Sequence, residues 1–205
     1  MYPYCNKDEI EVGIDEVGRG CLAGPVYTAA VIWPPELDPS DTNTIVRDSK
    51  KCSKRKRLML KDYIEEYAID FSVASLDNTV IDKVNILNAT MDCMHKSLDN
   101  LNVDFEHILV DGPRFNTYYR ENFPVPYTCV VKGDDTYISI ACASVLAKVY
   151  HDNYIEKLCD EQPELNKYEW KNNMCYGTKD HLSAIKQWGI TDYHRKTFGI
   201  CKEYC

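Results

Sequence analysis

The stretch Gly13–Val26 reads "GIDEVGRGCLAGPV". An apolar lead-in ends on two adjacent carboxylates, Asp15 and Glu16, and an arginine between two glycines, Gly18-Arg19-Gly20, follows almost at once. Carboxylates at the end of an apolar run cost free energy unless something compensates them. The stretch therefore predicts a strand end that offers two negative charges, beside a backbone bare enough to touch a ligand.

Working outward, "EIEVGIDEV" alternates apolar and acidic residues and reads as a strand ending at those carboxylates. "PVYTAAVIW", Pro25–Trp33, is a second strand, and the short glycine-bearing link predicts an antiparallel hairpin. A loop, "PPELDPSDTN", leads to a helix capped by Ser53 and running to about Tyr67. "IDFSVASL" is a third strand, and one helix is expected across "VNILNATMDCMHKSLDNL". "HILVDG", His107–Gly112, is a short apolar strand suited to burial on both faces of a parallel sheet. "PYTCVVKGDD" is a fifth strand, the longest helix spans about Tyr137–Asp160, and the second half of "CYGTKDHLSAIKQWG" is helical. Three strands followed by alternating strand and helix predict an α/β fold, a five-stranded mixed sheet with helices on its faces.

The acidic residues recur at the carboxyl ends of these strands: Asp15 and Glu16 on the first, Asp111 on the fourth, Asp134 and Asp135 after the fifth. In open α/β sheets, ligand sites gather at strand ends. Carboxylates brought together there repel and take up protons unless a hard cation is shared between them, and oxygen-only ligands suit Mg²⁺ or Mn²⁺. Taken singly, Asp111-Gly112 and Lys132-Gly133-Asp134 also read as ordinary turns.

At 205 residues with 44% hydrophobic content, the chain is expected to form a single domain over 1–205 with a short tail at 1–9. No bilayer-length apolar run and no secretory leader pattern are seen, so an intracellular, cytoplasmic location away from membranes is expected. The ten cysteines include no Cys-x-x-Cys pair and read as reduced, small apolar fillers. The net charge of −8 argues against diffuse nucleic-acid binding, yet Lys50–Arg57, "KKCSKRKR", places six basic residues in eight. That run reads either as a solvated first helical turn or as a phosphate contact. Cations at a helix N-terminus oppose its dipole without an anion, which favours the second reading.

Taken together, "GIDEVGRG…LAGPV", "RDSKKCSKRKR", "NILNATMDCM", "LVDG", "VVKGD", "ISIACASVLAKVYHD", "YGTKDH" and "HRKTFG" resemble, in order, the motifs of ribonuclease HII, the type 2 ribonuclease H family. The resemblance runs from about Glu11 to Gly199 and implies a ribonuclease H-like fold. It further implies a metal-dependent endonuclease that cleaves RNA in RNA/DNA hybrids and single ribonucleotides embedded in duplex DNA. Cleavage falls 5′ of the ribonucleotide, leaving 3′-hydroxyl and 5′-phosphate ends through two divalent ions. It assigns Asp15, Glu16, Asp111 and Asp134 as catalytic metal ligands and leaves Asp135 a bystander. Gly18, Arg19 and Gly20 would read the ribose 2′-hydroxyl, and Tyr176 would pack on the adjoining deoxyribose. Lys50, and Lys148 in the long helix, would approach phosphate. Cys175 stands where the family has glycine, and Tyr176-Gly177-Thr178 otherwise keeps the pattern and predicts an intact tyrosine loop. A monomer without a clamp-binding C-terminal segment is expected. The competing readings are a ribonuclease HIII-like hybrid nuclease, which the family writes with Gly-Lys-Gly, a catalytically silent hybrid-binding module, and a two-metal phosphatase for small molecules.

Overall fold

A computed structural model describes residues 1–37 and 53–205. Its strands are β1 Glu11–Val17, β2 Val26–Ile32, β3 Asp70–Leu76, β4 His107–Asp111, β5 Tyr119–Arg120, β6 Phe123–Pro124 and β7 Tyr127–Val130. Five of them form one mixed sheet in the order β3-β2-β1-β4-β7. β2 runs antiparallel to both of its neighbours, β1 and β3, and β4 and β7 lie parallel to β1 on its other side. The expected hairpin and five-stranded mixed sheet are both present. β5 and β6, two residues each, form a separate small hairpin that no sequence pattern announced.

The helices are α1 Lys54–Tyr67, α2 Asn78–Val84, α3 Ile86–Asp99, α4 Ile138–Glu161, α5 Trp170–Asn173 and α6 Lys179–Trp188. Alternation in the central strands divides the core. Val12, Ile14, Ile108 and Val110 face Met91, Met94 and Leu98 of α3. Ala29 and Val31 face α4 and Leu60 and Ile64 of α1. Each fully buried aliphatic side chain contributes about 1.5–3 kcal/mol. Gly13 is what lets α4 lie directly on β1, since a Cβ there would come within 2.3 Å of the Ile140 backbone nitrogen.

The helix expected across residues 84–101 runs over Ile86–Asp99, and a short helix that the pattern did not announce, α2, precedes it at Asn78–Val84. Asn85 takes φ +69° and its side chain accepts from the backbone nitrogens of Leu87 and Asn88, so it caps α3 and ends α2. Asparagine tolerates the left-handed region better than most residues and supplies the capping oxygen itself. Nine described cysteines are free thiols, six of them buried, as fillers should be; Cys52 lies outside the described residues. Among the described residues, no helix is long and apolar enough to cross a membrane.

Candidate active site

β1 and β4 are parallel neighbours paired through Ile14 and Val110, so Asp15 and Asp111 leave the sheet side by side. With Glu16 they line a cleft of about 280 Å³ whose other walls are Val17, Arg57, Ser144, Val145 and Lys148. The α4 start that packs on Gly13 brings Ser144 to a hydrogen bond with the Asp15 carboxyl. Asp15 is buried and also accepts from the Glu16 backbone nitrogen at 2.7 Å. Burial first, and then the charges of Glu16 and Asp111, hold the Asp15 carboxyl well above the usual carboxylate range. Burial also raises the Glu16 carboxyl, against the Arg19 guanidinium at 3.0 Å.

The turn after β7 completes this wall. Lys132 takes φ +58°, which turns Gly133 so that its nitrogen donates to Asp111 Oδ1 at 2.7 Å. Asp134 follows in a short 3₁₀ turn and is buried next to Gly133 rather than lining the cleft. Three of the four sequence-assigned carboxylates thus share the cleft, and the fourth stands on the adjoining turn. Among the described residues, no three His, Cys, Asp or Glu side chains stand close enough together to enclose an ion as they are. The donor set nevertheless fits a hard divalent cation: the side chains offer only oxygen, and the raised proton affinity of Asp15 and Glu16 is what a bound positive charge would relieve.

The glycine-bearing loop lies beside this wall. Gly18 takes φ +88°, and a Cβ on it would sit 3.0 Å from the Pro25 carbonyl and 3.1 Å from the His151 ring. Cys21 pairs with Tyr176 in an antiparallel bridge, and the Tyr176 ring lies 3.6 Å from where a Cβ on Gly20 would be. Gly18, Arg19, Gly20 and Tyr176 are therefore assembled into one surface. Cys175, at the family's glycine position, is fully buried and adopts the glycine-like φ of +64°. A side chain is thus accommodated at this left-handed position.

Lys148 joins the two halves. Its ammonium lies 6.0 Å from the centre of the Tyr176 ring, lines the cleft and is held by Asp152 at 2.8 Å. In the basic run, Lys54 pairs with Glu156 of α4 and Arg57 reaches the cleft. Lys50 and Lys51 lie outside the described residues.

Three residues of the site carry no distinguishing signal in the sequence: Arg57, Ser144 and Arg195. Arg57 is one of six bases in its run, and Ser144 is a small residue inside a helix. The Arg195 guanidinium is fully buried and donates to the carbonyls of Gly24, Arg19 and Pro25 at 3.0, 3.0 and 3.1 Å. Nothing in its spacing could announce partners some 170 positions away.

The family model described as Ribonuclease HII matches residues 12–201. A curated Ribonuclease HII of Bacteroides thetaiotaomicron is 45% identical over 200 residues, covering 98% of this chain and 94% of that protein. Among solved structures, the ribonuclease H2 of Pyrococcus horikoshii superposes with a TM-score of 0.75 at 21% identity, over 95% of this chain and 96% of that one. Bst-RNase HIII in complex with Mn²⁺ superposes with a TM-score of 0.70 at 18% identity, over 95% of this chain and 68% of that one.

Proposed function

The chain belongs to the ribonuclease HII family and is a metal-dependent endoribonuclease acting on RNA/DNA hybrids, and from that premise we propose that it also cleaves at single ribonucleotides embedded in duplex DNA. Cleavage falls on the 5′ side of the ribonucleotide and leaves 3′-hydroxyl and 5′-phosphate ends. The whole chain, 1–205, acts as one catalytic domain. The observation that carries this reading is the adjacency of two surfaces: a carboxylate wall formed by Asp15, Glu16 and Asp111, and a loop stack formed by Gly18, Arg19, Gly20 and Tyr176.

Asp15, Glu16, Asp111 and Asp134 would hold the metal, two Mg²⁺ or Mn²⁺ ions. Bound there, such ions stabilise charge on the transferring phosphoryl group and lower the pKa of a bound water. The chain's own residues do the rest. Asp134 lies on the Gly133–Asp135 turn, whose first nitrogen already holds Asp111, so a small shift of that turn moves the fourth carboxylate with the third. Arg57 and Lys148 bind backbone phosphate at the mouth of the cleft, where Asp152 keeps the lysine aimed. Lys50 would extend that contact.

Backbone groups of Gly18, Arg19 and Gly20 reach the 2′-hydroxyl, the group that tells RNA from DNA at a given position. The Tyr176 ring stacks on the following deoxyribose and fixes which phosphate faces the carboxylates. The test is a duplex bearing one ribonucleotide, incubated with Mg²⁺ or Mn²⁺ and resolved to the nucleotide. A single cut immediately 5′ of the ribonucleotide, with a ligatable 5′-phosphate, is expected. Cleavage of uniform hybrids alone, with the single-ribonucleotide duplex left intact, would sink the proposal.

A further inference from the structure

Behind the tyrosine loop lie two fully buried histidines, His181 at the start of α6 and His194 near the C-terminus. Neither has a ligand-like spacing in the sequence, and neither lines the cleft. Their rings are 5.3 Å apart, and their Nε2 atoms 3.2 Å. Fixed donors on both sides decide where the protons sit.

The backbone nitrogen of Thr191 donates to His194 Nδ1 at 2.9 Å. A backbone N–H is never an acceptor, so Nδ1 is bare and the proton of neutral His194 is on Nε2. The Trp170 indole donates to His181 Nε2 at 3.0 Å. That nitrogen is also bare, so the proton of His181 is on Nδ1, 3.0 Å from the carbonyl oxygen of Tyr176. His194 Nε2–H then points at His181 Nε2, whose single lone pair it shares with the Trp170 indole in a three-centre bond. The chain of hydrogen bonds runs one way only, from Thr191 through His194 and His181, and ends on the backbone of the residue whose ring faces Gly20.

The next residue carries the other arm. Arg195 places its three hydrogen bonds on the carbonyls of Arg19, Gly24 and Pro25, the loop that faces Tyr176. The backbones agree with this. Arg195 N donates to Leu22 O at 2.8 Å, and Leu22 N donates to Cys175 O at 2.8 Å, so residues 193–195, 21–24 and 174–176 lie as three paired segments.

We infer that His194-Arg195 is a positioning element for junction recognition, setting the distance between the glycine loop and Tyr176 through the His181 relay and the buried guanidinium. The inference rests on the role proposed above for Tyr176. None of these three residues touches substrate.

The neighbourhood keeps the relay neutral. Burial, first, lowers both histidines, His194 to about 3, and His181 lowers it further. The groups facing the pair are the Tyr168 ring, 5.0 Å from His194 and 6.1 Å from His181, the Trp170 indole, and Asn78, which donates to the His194 carbonyl. Tyr193 lies edge-on to Trp170. Protonation of His194 would put a hydrogen on Nδ1 against the Thr191 donor, so the relay holds throughout the range in which an ordinary histidine, with a pKa of about 6.5, titrates.

Two measurements on the full chain test this. Long-range ¹H–¹⁵N spectra of the wild type should show His181 as the Nδ1–H tautomer and His194 as the Nε2–H tautomer, unchanged between about pH 6 and 8. The opposite tautomer at either ring overturns the relay, and this measurement needs no variant to fold.

The second is the ratio of cleavage at a single embedded ribonucleotide to cleavage of a uniform RNA/DNA hybrid, both with Mn²⁺. Misplacement of about 1 Å can cost about 10²-fold in rate, so His181→Phe should lower the ratio about tenfold with hybrid cleavage held within about threefold. His181→Asn, whose amide N–H can replace the Nδ1 donor, should recover most of it. If Tyr176→Ala lowers the ratio and His181→Phe leaves it unchanged, this inference alone falls. If Tyr176→Ala itself leaves the ratio unchanged, the role given to Tyr176 fails and takes the positioning role with it.

Discussion

At the ends of β1 and β4, the buried Asp15 and the half-buried Glu16 and Asp111 face one another, with the proton affinities of Asp15 and Glu16 raised by burial. Beside them, Arg195, His181 and His194 are buried at least as deeply, yet each has its hydrogen-bonding partners in place. Among the described residues, the buried side-chain nitrogens and oxygens left without a partner are Trp33 Nε1 and Arg120 Nη1, both away from this region. The carboxylate wall thus carries charge that burial disfavours, and the loop stack is satisfied internally. The two halves answer different demands. The wall must accept charge from outside, so folding leaves repulsion in it. In the proposed function the stack holds a sugar at a fixed distance, and folding completes it beforehand.

The comparison breaks most easily at the wall. Asp111→Asn removes one oxygen donor and one charge while keeping the side chain's volume and an acceptor for Gly133. Metal-assisted stabilisation is worth several kcal/mol, so a fall of about 10³-fold in cleavage rate is expected, with the fold retained by circular dichroism. Near-normal cleavage would remove Asp111 from the metal site.

The same wall predicts a pH signature without metal. A carboxyl whose folded pKa is raised binds protons more readily in the native state than in the unfolded one, so stability falls as pH rises from the unfolded value, about 3.9, towards the raised one. Metal-free Asp15→Asn should flatten that slope, leaving the share of Glu16, and melt higher than the wild type near neutral pH. An unchanged slope would place the repulsion elsewhere.

Some of this contrast is legible in the sequence and some is not. The wall is legible because an alternating run that stops on Asp15-Glu16 marks one strand end, and a continuous apolar run that stops on Asp111 marks another. The parallel pairing that sets those two side by side follows from the apolar character of "HILV". The break at Asn85 escapes the pattern because it depends on a left-handed backbone inside an otherwise helical stretch. The individual roles of Gly18 and Tyr176 come from the family resemblance rather than from periodicity. The stack's supports are not legible at all. Arg195 bonds backbone carbonyls, which carry no residue identity, and the histidine relay joins residues 13 positions apart through ring tautomers.

A smaller effect sharpens the boundary between the halves. Arg57 lines the cleft but belongs to neither the wall's ligands nor the stack. Arg57→Gln should weaken binding of every duplex by a few-fold. It should also reduce the salt slope of binding by about 0.9, the share of one phosphate no longer neutralised, for hybrid and single-ribonucleotide substrates alike. A change confined to one substrate would move Arg57 into the recognition surface.

The smallest effect concerns Cys175, which with Met174 is one of two side-chain-bearing residues of the stack in the left-handed region. Cys175 holds φ +64°, a conformation that costs a side-chain-bearing residue roughly 1–2 kcal/mol and costs glycine almost nothing. The same thiol is fully buried next to Gly24, with its Sγ 3.9 Å from where a Cβ on that glycine would sit. Burying a small apolar group of this size contributes about 1 kcal/mol. Cys175→Gly removes the strain and the burial together, so the two changes oppose each other and the melting temperature should move by no more than a few degrees. Cys175→Ala keeps the strain and loses the sulfur, so it should melt below both the wild type and the glycine variant. If the backbone pairing of Leu22 with Cys175 and the bridge between Cys21 and Tyr176 place the tyrosine, neither variant should change the ratio of single-ribonucleotide to hybrid cleavage by more than about twofold, far below the cost of about 10²-fold for an ångström of misplacement. A glycine variant that melts no higher than the alanine variant would show that the left-handed backbone carries no strain here. A collapse of the cleavage ratio in either variant would show that the thiol itself, not the paired backbone, fixes Tyr176.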